Sequence, residues 1–288
     1  MKTCISAEVI DLHHQAPNPN ERASKYYWNE LYTYIDAAGF LYIEMPYESK
    51  WDFGGRSGIP LTNRSIMTKF DSVENCLETL KQCGIDGITS IHLDTTMFCS
   101  GNMQIFFGAV THFAEEAIAY AKDAAAVVVL SATPSYYALK GICPQDTNFE
   151  DFEEEFLKME LQVVDHLAEI AEESGVKLCL KNEYWSLLRG KKIMSFIADL
   201  KNKVYLDVDT AQLQIAGIDL AEFVHQNSNH IGIVHFTDTS FVDDQEAYLQ
   251  VLFPDLLKAL QEIYYDGTIV YNCRHSYDIC RSLLRTIN

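Results

Sequence analysis

Apolar and polar positions follow two rhythms along this chain. Short runs rich in β-branched residues alternate with longer stretches whose apolar positions recur every three or four residues. The runs are "CISAEVI" from Cys4, "FLYIEM" from Phe40, "GITSIHL" from Gly87, "AVVVLSA" from Ala126, "KLCLK" from Lys177, "VYLDVD" from Val204, "IGIVHF" from Ile231 and "TIVYN" from Thr268. Each reads as a strand, and the unbroken "AVVVL" as one buried on both faces. Between them lie amphipathic stretches. The clearest spans Asp151 to Ser174, where Phe156, Met159, Val163, Leu167 and Ile170 form one stripe. Its acidic first turn suits the positive end of the helix dipole, and Gly175 stands where a terminating glycine belongs. "SVENCLETLKQCG" repeats the pattern, with Ser72 and Asn75 as caps and Gly84 as the stop.

Strand followed by helix, eight times over with no Ser/Gly/Pro linker, predicts an α/β fold: a single (β/α)8 TIM barrel, one domain over residues 1–288. The alternative is an open doubly wound sheet. That fold expects a glycine-rich phosphate loop after the first strand, and "DLHHQAPNPNER" is not one. Residues 48–70 and 95–104 are long enough to form lids or site walls.

Composition narrows the function classes. The 288 residues carry 41 acidic and 22 basic side chains, a net charge of −19. Nucleic acid and anionic membrane surfaces, which require Lys/Arg patches, are disfavoured as partners. The eight cysteines form no C-x-x-C pair, and no run is apolar enough for an export signal or a membrane span. The expectation is a cytoplasmic protein with reduced thiols, Cys76, Cys83 and Cys179 among them packing in the core.

A barrel of this kind places its site at the C-terminal ends of the strands. The polar residues there are Glu44, His92 and Asp94, Lys181 with Asn182 and Glu183, Asp207 and Asp209, His235 and Asp238, and Asn272 with Arg274. Converging on one mouth, they would form a cleft for a polar small molecule. Strand parity puts Lys181 and Glu183 on one face, and likewise Asp207 and Asp209. Asp207 would lie one layer deeper than Asp209, where a carboxylate needs a partner, and Lys181 is a candidate for it. Trp185 and Tyr184 have two readings, stacking on a ligand or packing on the next helix. Glu44 also has two, binding a substrate hydroxyl or pairing with a cation across the mouth. Arg274 would bind an anionic group or form a surface ion pair. His13 and His14 read as a solvated loop.

The order of these motifs resembles the xylose isomerase-like TIM-barrel superfamily of sugar isomerases, sugar epimerases and inosose dehydratase-like proteins. "VKLCLKNEYW" is similar to the family strand ending in Glu-Asn, "VYLDVDTAQLQIAG" to its D-T-x-H segment, "IGIVHFTD" to its H-x-x-D ending, and "YDGTIVYN" to its last strand. The resemblance implies a sugar or polyol substrate, a divalent metal (Mn, Mg, Zn or Co) on four strand-end ligands, and two glutamates that move a proton through an enediolate. It also implies a homo-oligomer. Asp209 and His235 match the metal-binding Asp and His, and Asp238 is retained. Lys181 stands where the first Glu belongs, Asn272 where the last belongs, Gln212 in place of the motif His, and Phe241 where an Arg would follow Asp238.

Three readings of this altered site stay open. In the first, Glu183 swings in from about 7 Å further along to join Asp209 and His235 around a metal, with Lys181 or His92 as acid/base. The catalytic candidates are then Lys181, Glu183 and His92, and Glu44, Asn182, Trp185, Asp238, Asn272 and Arg274 bind substrate. In the second, the Lys181 ammonium replaces the metal, paired with Asp207, Asp209 or Glu183, and the protein is a catalytically inactive sugar- or metabolite-binding homologue. A neutral Lys181 forming a Schiff base is a variant of that reading. In the third, the strand register is shifted, Lys181 is solvated, and Glu183 is the true counterpart of the family glutamate.

Overall fold

The computed structural model describes residues 1–6, 29, 32–33, 35–37, 39–47, 72–95, 102–131, 133–237 and 245–272, with 245–253 described in their backbone alone. Eight parallel strands close into a barrel in sequence order. They are β1 (Lys2–Ser6), β2 (Tyr42–Pro46), β3 (Gly87–Leu93), β4 (Val127–Ser131), β5 (Lys177–Lys181), β6 (Tyr205–Asp209), β7 (Ile231–Thr237) and β8 (Thr268–Asn272). Each of the eight predicted runs overlaps a strand, and residues 7–10 of the first lie outside the described residues. Between them come α1 (Val73–Gln82), α2 (Met103–Ala124), α3 (Tyr136–Ile142), α4 (Phe149–Glu173), α5 (Lys192–Asp199), α6 (Thr210–Ile215), α7 (Leu220–Gln226) and α8 (Gln245–Glu262). No helix among the described residues is long and apolar enough to cross a membrane.

Side-chain alternation sorts the strand residues into two cores. Ile5, Ile43, Ile91, Val128, Leu130, Leu178, Leu180, Leu206, Val208, Val234, Phe236 and Ile269 point outward and merge with the helices in one large cluster. Cys4, Val127, Val129, Cys179, Ile233 and Val270 point inward and form a separate apolar plug, flanked by Tyr42 and Tyr205. Two residues further along these strands the inward face turns polar: Ser6, Glu44, Ser131, Lys181, Asp207, His235 and Asn272. The barrel interior is thus an apolar floor beneath a polar mouth. Cys179 packs in the floor, Cys76 is buried on the inner face of α1, and Cys83 is half-buried. The five described cysteines are free thiols.

Register shifts adjust this layering in two places, at Ile43/Glu44 against β3 and at Leu206/Asp207 against β7. Gly232 occupies the second. A Cβ there would lie 2.5 Å from Cys179 Sγ and 2.7 Å from Tyr205 Cβ, so the floor closes only over a hydrogen.

The helix stops are built as expected. Gly175, at φ 69°, bonds from its N–H to Glu172 O at 3.0 Å while Val176 N reaches Ala171 O at 2.8 Å, the paired bonds of a left-handed cap that feeds β5. Ser72 caps α1 through its hydroxyl, which accepts from Asn75 N at 3.1 Å. The buried stripe of α4 is rotated from the predicted one. Phe152, Phe156, Glu160, Val164, Leu167, Ala168 and Ala171 are buried, whereas Met159, Val163 and Ile170 lie at its margin. Small Ala168 and Ala171 let the helix approach its neighbours closely, a contact that a search for large apolar residues overlooks.

Candidate functional site

Register sets the mouth. Ser131, Lys181 and Asp207 are partners in one row across β4, β5 and β6, and Asp209 pairs with His235 across β6 and β7. Glu44 lies beside Ser90 across β2 and β3. Residues far apart in sequence therefore share one cavity floor by strand geometry alone.

One side of the mouth is a closed ionic clamp. His235 Nδ1 lies 2.6 Å from Asp207 Oδ1, and its Nε2 lies 3.0 Å from both Glu44 oxygens. Ser90 Oγ donates to Glu44 Oε2 at 2.7 Å. Burial disfavours a charged His235, but Asp207 and Glu44 outweigh it and raise the imidazolium to about 10. Burial likewise pushes Glu44 up, yet His235, His92 and Ser90 together hold it down at about 2. Burial pushes Asp207 up, against His235 and Lys181. The partner of the deep Asp207 is thus His235 rather than Lys181, and the partner of Glu44 is a histidine rather than a lysine or arginine.

Lys181 sits on the other side, 6% exposed, with Nζ 3.2 Å from Asp209 Oδ2. The reading with a solvated Lys181 does not hold: β5 ends with this side chain directed into the barrel. Burial disfavours its charge, but Asp209, Asp207, Glu183 and Glu44 outweigh the loss and hold it above the ordinary lysine range. It is an ammonium, not the neutral amine that a Schiff base requires. Asp209 is also engaged elsewhere. Its Oδ1 caps α6 by accepting from Gln212 N at 3.2 Å, and its Oδ2 accepts from Thr237 Oγ1 at 2.8 Å.

Glu183 lies just past β5 on a tightly tied turn. Both ends of the Asn182 amide bond the backbone of Gly190, Nδ2 to its carbonyl at 2.9 Å and Oδ1 from its N–H at 3.0 Å. Thr133 Oγ1 meets Ser186 Oγ at 2.7 Å and accepts from Leu187 N at 2.9 Å. Gln212 Oε1 accepts from Tyr184 N at 3.0 Å. Held this way, Glu183 is buried, with Oε1 accepting from Ser131 Oγ at 2.9 Å and Oε2 without a hydrogen-bond partner. Burial raises its carboxyl to about 8, although Lys181 and Ser131 pull it down.

His92 faces the same space. Its ring centroid is 6.4 Å from that of His235, and its Nε2 has no hydrogen-bond partner. Burial and the Lys181 charge lower it to about 4, against the pull of Glu44, so the ring is neutral.

The sequence-selected residues therefore divide. Lys181, Glu183, His92, Glu44, Asp209 and His235 share the mouth. Asn182 shapes the turn, since its amide is fully engaged. Trp185 is half-buried beside it. Asn272 is half-buried and donates to Thr237 Oγ1 at 3.3 Å. Asp238 and Arg274 lie outside the described residues, as do His13, His14, Phe241 and most of the two long segments. Ser90 and Thr237 went unselected although they share the inward parity of His92 and His235 on their own strands, which was the available signal, whereas β4 carries no selected residue that would have marked Ser131.

The donor set named for a metal was Glu183, Asp209 and His235. Both His235 nitrogens face carboxylates, both Asp209 oxygens hold donors, and the Lys181 ammonium stands at the position the resemblance assigns to a metal-binding carboxylate. These residues, so arranged, do not fit a divalent cation, which requires neutral imidazole and free oxygens. No group of three or more His, Cys, Asp or Glu among the described residues is arranged to hold one.

Comparison with known proteins agrees with the fold. The family model of the xylose isomerase-like TIM barrel matches residues 33–283, and the chain belongs to that family. Comparison with curated proteins finds no match. Among solved structures, an L-ribulose 3-epimerase is similar at TM-score 0.69 and 15% identity, over 100% of this chain and 93% of that one. A 3-keto-D-glucoside 4-epimerase from E. coli is similar at 0.65 and 17%, over 99% of each chain. A D-tagatose 3-epimerase-like protein is similar at 0.65 and 21%, over 99% of this chain and 96% of that one.

Proposed function

We propose that the protein is a sugar isomerase or epimerase that moves a proton at a carbon beside a carbonyl, with the Lys181 ammonium supplying the positive charge that a divalent cation would otherwise provide. The observation that carries this reading is Glu183, a buried carboxyl with one oxygen fixed by Ser131 and the other unpartnered, set beside a charged lysine and a neutral histidine. A carboxyl near neutrality is suited to proton abstraction. A fixed ammonium stabilises the enediolate oxygen as charge develops, and needs no reorganisation to do so. The same division of labour, with a glutamate base and a neutral imidazole as electrophile, is a known solution to enolisation. The sugar epimerases among the similar structures support the substrate class.

Deuterium exchange tests the proposal. L-Ribulose, D-allulose, D-tagatose and D-fructose are each incubated with the protein and EDTA in D2O, and their C–H signals followed by NMR. Exchange at a carbon beside the carbonyl, abolished in Glu183→Gln, is the expected result. Saturable sugar binding with no exchange at any carbon would instead identify a non-catalytic binding protein.

A further inference from the structure

Epimerisation and isomerisation make different demands on a proton-transfer site. Inverting a carbon requires that the proton leave from one face and return to the other, so two proton carriers must flank the substrate. Shifting a carbonyl between neighbouring carbons can proceed on one face with one carboxylate, provided a second group moves the hydroxyl proton between the two oxygens.

Among the described residues, the mouth is one-sided in this respect. Glu44 holds His235 with both oxygens and Ser90 with one. Asp209 holds Lys181, Thr237 and the first turn of α6. Asp207 is bonded to His235 and lies a layer below, fully buried. Glu183 is thus the described carboxyl that combines an upper-layer position with an unpartnered oxygen. At the end of β8 stands Asn272, an amide that neither gives up nor accepts a proton. Asp207 Oδ2 is also unpartnered but lies beneath Asp209 with no exposure, which leaves Nε2 of His92 as the second unpartnered polar atom beside Glu183 among the described residues.

We propose that the site carries out one-base 1,2-isomerisation between a ketose and an aldose, with Glu183 carrying the carbon-bound proton and His92 the hydroxyl proton. This rests on the proton-transfer function proposed above. In the ketose-to-aldose direction, the Glu183 carboxylate takes a proton from C1. The C1–H electron pair becomes the C1–C2 π bond, and the C2 carbonyl π pair moves to O2, where Lys181 offsets the charge. His92 protonates O2 and recovers the proton of O1. As O1 becomes the aldehyde oxygen, C2 takes its proton from Glu183 on the same face. Atoms and electrons balance with no external oxidant or reductant.

The test uses the wild-type chain with L-ribulose, D-allulose, D-tagatose and D-fructose in D2O, following products and label positions by NMR. The expected result is exchange at C1 and formation of the aldose, with C3 untouched. His92→Gln should then lower aldose formation by a further ~100-fold relative to C1 exchange, because the enediolate forms but returns. A C3 epimer or label at C3 would overturn this inference while leaving the proton-transfer function in place. Absence of exchange at every carbon, together with absence of any aldose or epimer product from all four sugars, would overturn both.

Discussion

The two sides of the barrel mouth hold the same kinds of residue in opposite conditions. Across β2, β7 and β6, the Glu44–His235–Asp207 clamp uses both ring nitrogens of His235 and both oxygens of Glu44, and leaves only the deep Oδ2 of Asp207 without a partner. Across β3 and β5, His92 Nε2 and Glu183 Oε2 are buried without hydrogen-bond partners beside a charged Lys181. Saturated polar groups hold a structure in place, whereas unsaturated ones are costly to keep and mark where a ligand completes the network. The histidine that matches the family metal ligand is therefore saturated, and the unpartnered His92 and Glu183 atoms, to which the proposed proton transfer is assigned, lie on the opposite side.

The contrast is most exposed at His235. His235→Leu strands two buried carboxylates and should destabilise the fold by about 3–5 kcal/mol in urea titrations. The cost depends on pH. His235 is raised from 6.5 to about 10, so its contribution is complete below 6.5 and lost as pH rises through 10. Glu44 is lowered from 4.5 to about 2, so its contribution is complete above 4.5 and lost as pH falls through 2. The penalty of His235→Leu should be greatest between those limits and shrink towards pH 10. Gly232→Ala intrudes on the floor beneath the clamp and should cost about 1–3 kcal/mol through overpacking.

On the reactive side the order reverses. Glu183→Gln should change stability at pH 4 by less than about 1 kcal/mol, and should reduce proton exchange at neutral pH by at least ~100-fold. Because Glu183 is raised from 4.5 to about 8, folding favours its protonated form, and that advantage is lost as pH rises from 4.5 through 8. The variant should therefore gain stability relative to wild type across that interval, while the wild-type exchange rate climbs with pH towards a plateau above 8. Denaturation midpoints and a pH–rate profile check the two halves.

The fold was legible in the sequence because the strands are short apolar runs at regular spacing and the stretches between them, α1 and α4 most clearly, carry a helical period, although the buried stripe of α4 was misplaced. Parity also found the mouth, since Lys181, Asp209 and His235 share the inward face of their strands. It did not find the pairings. After the shift at Leu206/Asp207 the register sets Asp207 beside Ile233 and Asp209 beside His235, yet the His235 side chain reaches back to Asp207 and Asp209 takes Lys181, choices that strand parity does not specify. Nor could it show that Asn182 spends its amide on Gly190, because that bond exists only once the turn has closed. Parity could have marked the hydroxyls of Ser90 and Thr237, but that of Ser131 stands alone in the apolar run of β4, and only its contact with Glu183 reveals its role.

Titration of Mn2+ by calorimetry into EDTA-treated wild type and Lys181→Glu most directly tests whether the lysine has taken the place of a cation. The variant exchanges the ammonium for a third carboxylate beside Glu183 and Asp209, a hard oxygen set suited to a divalent ion. The account predicts no binding heat for the wild type and saturable binding for the variant. Tight Mn2+ binding by the wild type, abolished by Asp209→Asn, would contradict it.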